Sequence, residues 1–187
     1  MSGGRYIYLF LLVMFCNLFS HAQDHKVKFS SINTVGWLKG ETRSVAQFQT
    51  VNGVRYSTFF AGIGVAADPY YFKTVPLFVD LRKNLLNKNR TPFVYLDAGT
   101  NLPLDKSKNY GWMMLWMSEY DAGLYYDVGL GYIFKLVKQI KVLLSAGYSE
   151  KQITETQYYL SDPGPNSKPT ILDYRFRRIS LKAGIQF

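Results

Sequence analysis

From Ile179 to Phe187, the apolar residues Ile179, Leu181, Ala183, Ile185 and Phe187 alternate with Ser180, Lys182, Gly184 and Gln186. A period of two places successive side chains on opposite faces of an extended chain, so the segment reads as a strand with one apolar face. The same alternation sets Leu124, Tyr126, Val128, Leu130, Tyr132 and Phe134 against Tyr125, Asp127, Gly129, Gly131 and Ile133, and Ile140, Val142, Leu144, Ala146 and Tyr148 against Lys141, Leu143, Ser145 and Gly147. Shorter versions set Leu77, Val79 and Leu81 against Phe78, Asp80 and Arg82, and Val94, Leu96 and Ala98 against Tyr95, Asp97 and Gly99. Phe59, Ala61, Ile63 and Val65 likewise oppose Phe60, Gly62, Gly64 and Ala66. Two more polar segments, Lys28 to Leu38 and Ser44 to Val51, complete a set of about eight strands, the even number that a closed up-and-down barrel requires.

The connections alternate in length. Short ones are expected at Asn52-Gly53, a type I′ hairpin signal, at Asn87 to Arg90 and at Leu136 to Gln139. Longer ones are expected at Asp68 to Lys73, Asp105 to Asp121 and Glu150 to Asp173; only the first loop, near Gly40 to Arg43, is short where a long one would fit. Short turns at one end and long loops at the other are the arrangement of barrels that cross an outer membrane. The fold class predicted is all-β, an eight-stranded antiparallel up-and-down transmembrane β-barrel.

The start of the chain changes where this barrel is expected. Arg5 precedes an apolar run from Tyr6 to Phe15, and Ser20-His21-Ala22 is a small-x-small cleavage site, so residues 1–22 read as an export signal and residues 23–187 as one barrel domain. The single cysteine, Cys16, lies inside that signal, and Val13-Met14-Phe15 before it lacks the small residues of a lipidation site. No disulfide framework is therefore available to the exported domain. With 17% aromatic residues, among them 15 Tyr and 13 Phe, the chain must bury its rings or turn them to lipid.

Alternation does not say which face points inward. A soluble lipocalin-like barrel would line a ligand cavity with the apolar face; an outer-membrane barrel turns that face to lipid. The polar face here carries Gly62, Gly64, Gly99, Gly129, Gly131, Gly147 and Gly184 with scattered charges. Small residues beside a few large ones suit the narrow inside of eight strands, so lipid is expected outside.

The end of the signal at Ala22-Gln23, the stretch Val75-Pro76-Leu77-Phe78-Val79-Asp80-Leu81-Arg82 and the terminal Ile185-Gln186-Phe187 resemble the small outer-membrane β-barrel family of Bacteroidetes-type bacteria over most of residues 23–187. The resemblance implies insertion by the outer-membrane assembly machinery, which reads a last strand ending in an aromatic. Ala183, Ile185 and Phe187 match that signal by position, and an aromatic closing an interfacial girdle fits the same pattern.

Candidate chemistry is sparse. Once residues 1–22 are removed, the only histidine is His25 and no cysteine remains, which removes the central group of Ser-His catalysis and of His/Cys zinc sites. No Walker or Rossmann signature is present, so no enzyme activity and no cofactor or metal is expected. The charges expected inside the barrel are Asp80, Arg82, Asp97, Asp127, Lys141 and Lys182, three acids and three bases. Unpaired charges in a narrow lumen are costly, so a mutually neutralising cluster that closes the lumen is one reading and a narrow ion-conducting pore the other.

In the loop after Asn109, Trp112, Met113, Met114, Trp116 and Met117 form a candidate binding surface, or else an extension of the strands resting at the lipid interface. A net charge of +9 invites a nucleic-acid partner, but the bases are scattered and the chain is expected to be exported. The expected partners are outer-membrane lipids and lipopolysaccharide, the latter near Arg175, Arg177 and Arg178 at the outer end of the last strand. The role expected is structural or interactive within the cell envelope.

Overall fold

The computed structural model describes residues 27–104, 109–110, 116–136, 140–159 and 168–187. The expected signal at 1–22 lies outside them. Nine strands follow in chain order: β1 (Lys28–Gly40), β2 (Ser44–Tyr56), β3 (Phe59–Ala67), β4 (Thr74–Asn84), β5 (Arg90–Pro103), the two-residue β6 (Asn109–Tyr110), β7 (Trp116–Lys135), β8 (Lys141–Tyr159) and β9 (Thr170–Gln186). Each pairs antiparallel with its neighbours, β1 also pairs with β9, and β5 pairs with β7, so eight strands close on themselves and β6 is a short flange on β7. Closure satisfies the backbone groups that an open sheet would leave at its edges.

The alternation resolves as expected. Ile63, Val79, Leu130 and Leu181 point outward and are half or more exposed, and Val35, Phe48, Leu96 and Leu144 continue the same apolar belt. Inward positions hold the glycines, the charges and a packed set of large side chains that includes Ile32, Val51, Phe60, Phe78, Phe93, Tyr95 and Tyr125. The rings explain the glycines. Phe93 pairs with Gly131 across β5 and β7, and a Cβ on Gly131 would sit 2.3 Å from the Phe93 ring. Phe78 lies over Gly64 in the same way, at 2.3 Å from a Cβ built there. An eight-stranded interior admits a ring on one strand only where the facing strand gives up its side chain.

Three local expectations are corrected. Asn52-Gly53 is not a turn: β2 runs on to Tyr56, with Asn52 paired to Ser31 and Gly53 to Ser30. Gly53 has no positive φ; the turn falls at Ser57, whose φ is 54°. Ending β2 at Val51 would forfeit four pairings with the start of β1, and a Cβ on Gly53 would lie 2.2 Å from the Ala61 carbonyl oxygen, so this glycine serves close strand approach. The segments 105–121 and 150–173 are not wholly loops either. β7 begins at Trp116, β8 continues to Tyr159 and β9 begins at Thr170. Because β1 stops pairing at Gly40 opposite Arg178, these three strands project past the barrel rim as a flap. A bulge between Ala122 and Tyr125 reverses the facing of β7 within the flap: Tyr125 and Asp127 are inward below it, whereas Ser118 is the buried residue above. Finally, Arg178 points inward and is fully buried, leaving Arg175 and Arg177 on the outer face of β9.

Candidate functional site

The lumen is built on a row of acids. Register sets Asp80 of β4 opposite Asp97 of β5, and Asp97 opposite Asp127 of β7, all three fully buried. Like charges facing each other across a sheet destabilise it unless cations come between them. Arg82, two residues along β4 and so on the same face, forks onto Asp80, with Nε 2.9 Å from both carboxylate oxygens and Nη2 2.6 Å from Oδ2. Its guanidinium also lies 5.6 Å from the Phe93 ring centroid and 5.7 Å from that of Tyr95. Lys182 of β9 reaches across the lumen, its ammonium 3.3 Å from Asp97 and 3.0 Å from Asp127.

Neutral donors complete the set. The Gln49 amide donates to Asp97 at 3.0 Å, and the hydroxyls of Tyr95 and Ser180 donate to Asp127 at 2.7 and 3.1 Å. Five of the six charges read from the sequence thus meet in one network. The sixth, Lys141, is inward but stands at the turn end among Arg55, Lys135 and Lys28. Fully desolvated charges persist only when paired and hydrogen-bonded, and these five are.

A second ion cluster nearer the loop end was not legible in the sequence. Asp68, at the first residue after β3, accepts from Arg178 and, at 3.1 Å, from Lys151. Lys151 also donates to the Phe72 carbonyl at 3.3 Å and the Thr74 hydroxyl at 3.2 Å, and Arg178 donates to the Ser149 hydroxyl at 2.9 Å. All three charged side chains are fully buried. Asp68 and Lys151 both fell at expected loop positions, and no local pattern links residues so far apart in the chain.

Above this cluster rings pack at the outer mouth: Tyr71 stacks on Phe176 at 5.2 Å between centroids, and Phe72 meets Tyr120 at 5.0 Å with the rings tilted by 50°. Tyr70, Tyr71, Phe72, Tyr174 and Phe176 line a cleft of about 600 Å³ beside the flap. Within the flap, burial works to raise the Glu155 carboxyl, but hydrogen bonds from Gln157, Ser118, Tyr174 and Tyr120 prevail and hold it below the ordinary range.

Of the loop surface read from the sequence, Trp112, Met113 and Met114 lie outside the described residues, while Trp116 and Met117 open β7. At the opposite end Ala183, Ile185 and Phe187 all face outward, and the Phe187 backbone exchanges hydrogen bonds with Ser31 at 3.0 and 3.3 Å. The described residues contain no histidine, no cysteine and no group of three potential metal ligands.

Two solved structures share this architecture. Neisserial surface protein A matches with a TM-score of 0.50 and 14% identity, over 86% of this chain and 97% of that one. The outer membrane protein OprG from Pseudomonas aeruginosa matches with a TM-score of 0.51 and 11% identity, over 87% of this chain and 96% of that one. At such identities the likeness is one of fold. No family model matches the chain, and no curated protein matches it.

Proposed function

We propose that this chain is a small outer-membrane β-barrel with a structural or interaction role in the cell envelope, exported by residues 1–22 and closed along its lumen by ion pairs and rings. The observation that carries the reading is the inversion of polarity: hydrocarbon side chains cover the outside of a closed sheet while paired charges occupy the middle. In water such a belt would far exceed the apolar patch of a soluble monomer, whereas acyl chains solvate it. A closed barrel is also the only sheet whose backbone groups are all satisfied in hydrocarbon. β3 and β4, with 9 and 11 residues, have the length that tilted strands need to cross. The fold shared with a surface protein and an outer membrane protein supports the same placement.

Eight strands leave room for little more than side chains. Phe60, Phe78, Phe93 and Tyr125, together with the Arg82–Asp80 and Lys182–Asp97–Asp127 pairs, fill that room, which supports a closed lumen over an open pore. The outward Ala183, Ile185 and Phe187 suit reading by the outer-membrane assembly machinery, and Arg175 and Arg177 on the outer face of β9 suit lipopolysaccharide. The resemblance of Val75–Arg82 and the C-terminus to the Bacteroidetes-type group belongs to the same reading.

Membrane fractionation with gel mobility compared before and after boiling tests the placement, and planar-bilayer recording tests the lumen. Recovery in the outer-membrane fraction, a heat-dependent mobility shift and no steady large conductance are expected. Recovery in the soluble fraction refutes the membrane reading, and sustained conductance refutes closure.

A further inference from the structure

The turn end of the barrel carries a charge cluster of a different kind. Lys28 of β1, Arg55 of β2, Lys135 of β7 and Lys141 of β8 each lie an even number of residues from a fully buried neighbour on the same strand: Ile32, Val51, Ile133 and Leu143. All four are therefore on the inner face. Lys28 pairs directly with Arg55, Lys135 pairs with Lys141, and β9, between β8 and β1, joins the two pairs into one continuous wall. They are close enough that the charges of Arg55, Lys135 and Lys28 all act on the Lys141 ammonium, and Arg82 acts on Arg55.

No Asp or Glu side chain among the described residues neutralises them. None of the four has an ion pair there, and Asp80, the carboxylate along β4 toward this mouth, is held by Arg82. The Gln186 amide N–H donates to the Ser30 hydroxyl at 2.9 Å, which donates at 2.7 Å to the Phe187 main-chain carboxylate; that single negative charge, held by Ser30 and the Ser31 N–H, is outnumbered by the four cations around it. Among the described residues the barrel thus pairs its deeper charges and leaves four like charges converging at one mouth, as two directly opposed pairs that repel. Such an arrangement gains stability only when an anion enters it. A guanidinium fork and three ammonium groups match the several oxygens of linked phosphates better than a single carboxylate.

We propose that this mouth binds a multiply charged phosphate compound, gripped by Lys28, Arg55, Lys135 and Lys141. Their direction selects the source. Cations aimed at the barrel axis meet a soluble ion entering from the aqueous side, whereas the phosphates of surrounding lipid would meet the outward Lys83, whose ammonium rests 4.3 Å from the Phe59 ring centroid.

Sodium tripolyphosphate titrated calorimetrically into the refolded full-length barrel in zwitterionic micelles is the test. Saturable binding is expected, weakened by salt, and lowered by about tenfold for each cation removed in Lys141→Gln and then Arg55→Gln/Lys141→Gln. Lys39→Gln/Lys83→Gln, an equal loss of charge on the outer face of β1 and β4, should leave affinity within about twofold. Absence of saturable binding, or equal weakening in the Lys39/Lys83 variant, overturns the site. Nanodiscs separate the sources: equal affinity in phosphatidylcholine and phosphatidylglycerol supports a soluble ligand. Competition by phosphatidylglycerol that disappears in the Arg55/Lys141 variant makes lipid phosphate the occupant and overturns it. Should the double variant lose its heat-dependent mobility shift, the single Lys141→Gln, at a half-buried rim position, carries the comparison. Because the titration runs in detergent, its failure leaves the membrane placement untouched.

Discussion

Lys182→Met removes one ammonium from between two buried carboxylates and keeps most of the side-chain volume. The wild-type contacts are 3.3 Å to Asp97 and 3.0 Å to Asp127, with all three groups almost wholly withdrawn from solvent. Removing one partner of a buried pair costs about 3–5 kcal/mol, mostly because the charge left behind is uncompensated. The two acids are not equally exposed to that cost. Asp127 keeps hydroxyl donors from Tyr95 and Ser180, whereas Asp97 keeps the Gln49 amide and the attraction of Arg82, which the repulsion from the adjacent Asp80 carboxylate outweighs.

Neutralising Asp97 in the K182M background should therefore recover more of the loss than neutralising Asp127. Urea titration of the refolded protein in micelles, followed by tryptophan fluorescence and gel mobility, gives the unfolding free energies of K182M, K182M/D97N and K182M/D127N. A loss below about 1 kcal/mol in K182M would mean that water solvates the lumen and the pairs hold nothing shut. Equal recovery by both second substitutions would refute the assignment of Asp97 as the worse-compensated acid.

Asp68→Ala strands two buried cations, Lys151 and Arg178, and should cost about 3–5 kcal/mol, read as a lowered urea midpoint together with protease cleavage at the loop end. Gly131→Val would place a Cβ 2.3 Å from the Phe93 ring and 2.6 Å from the Leu144 carbonyl oxygen; a loss of about 1–3 kcal/mol is expected, partly restored by adding Phe93→Leu. Ser57→Gly relieves a left-handed residue at φ 54° in the β2–β3 turn and should raise the unfolding free energy by about 0.5–1 kcal/mol in the same titration. Phe187→Ser keeps the backbone bonds to Ser31, so refolding in micelles should match wild type while the amount of heat-shifting protein recovered from cells falls. Unchanged recovery would refute the C-terminus as an assembly signal.

How far the sequence carried the site follows from the range of each interaction. Asp80, Arg82, Asp97, Asp127 and Lys182 were legible because parity along a strand fixes the face, and a charge on the face opposite an apolar one has to be inside. Gln49 was not, since it sits in a strand too polar for its faces to contrast. Arg178 was misplaced because β9 carries three bases close together and only the run of buried residues from Arg178 to Gln186 shows which of them turns inward. The Asn52-Gly53 signal was overridden because local turn preference is weaker than continued pairing with β1.

The sequence by itself determined the strands, the even closure and the separation of an apolar face from a charged and glycine-rich one, because alternation is a property of the extended backbone and needs no partner. Register was decided only by the closed barrel. It set three aspartates side by side, sent Lys182 across the lumen to two of them, brought Asp68 to Lys151 and Arg178, and gathered Lys28, Arg55, Lys135 and Lys141 at one mouth. Those meetings depend on which residue of one strand lies opposite which of the next. That stagger is a property of the whole ring of strands, fixed when the last strand pairs with the first.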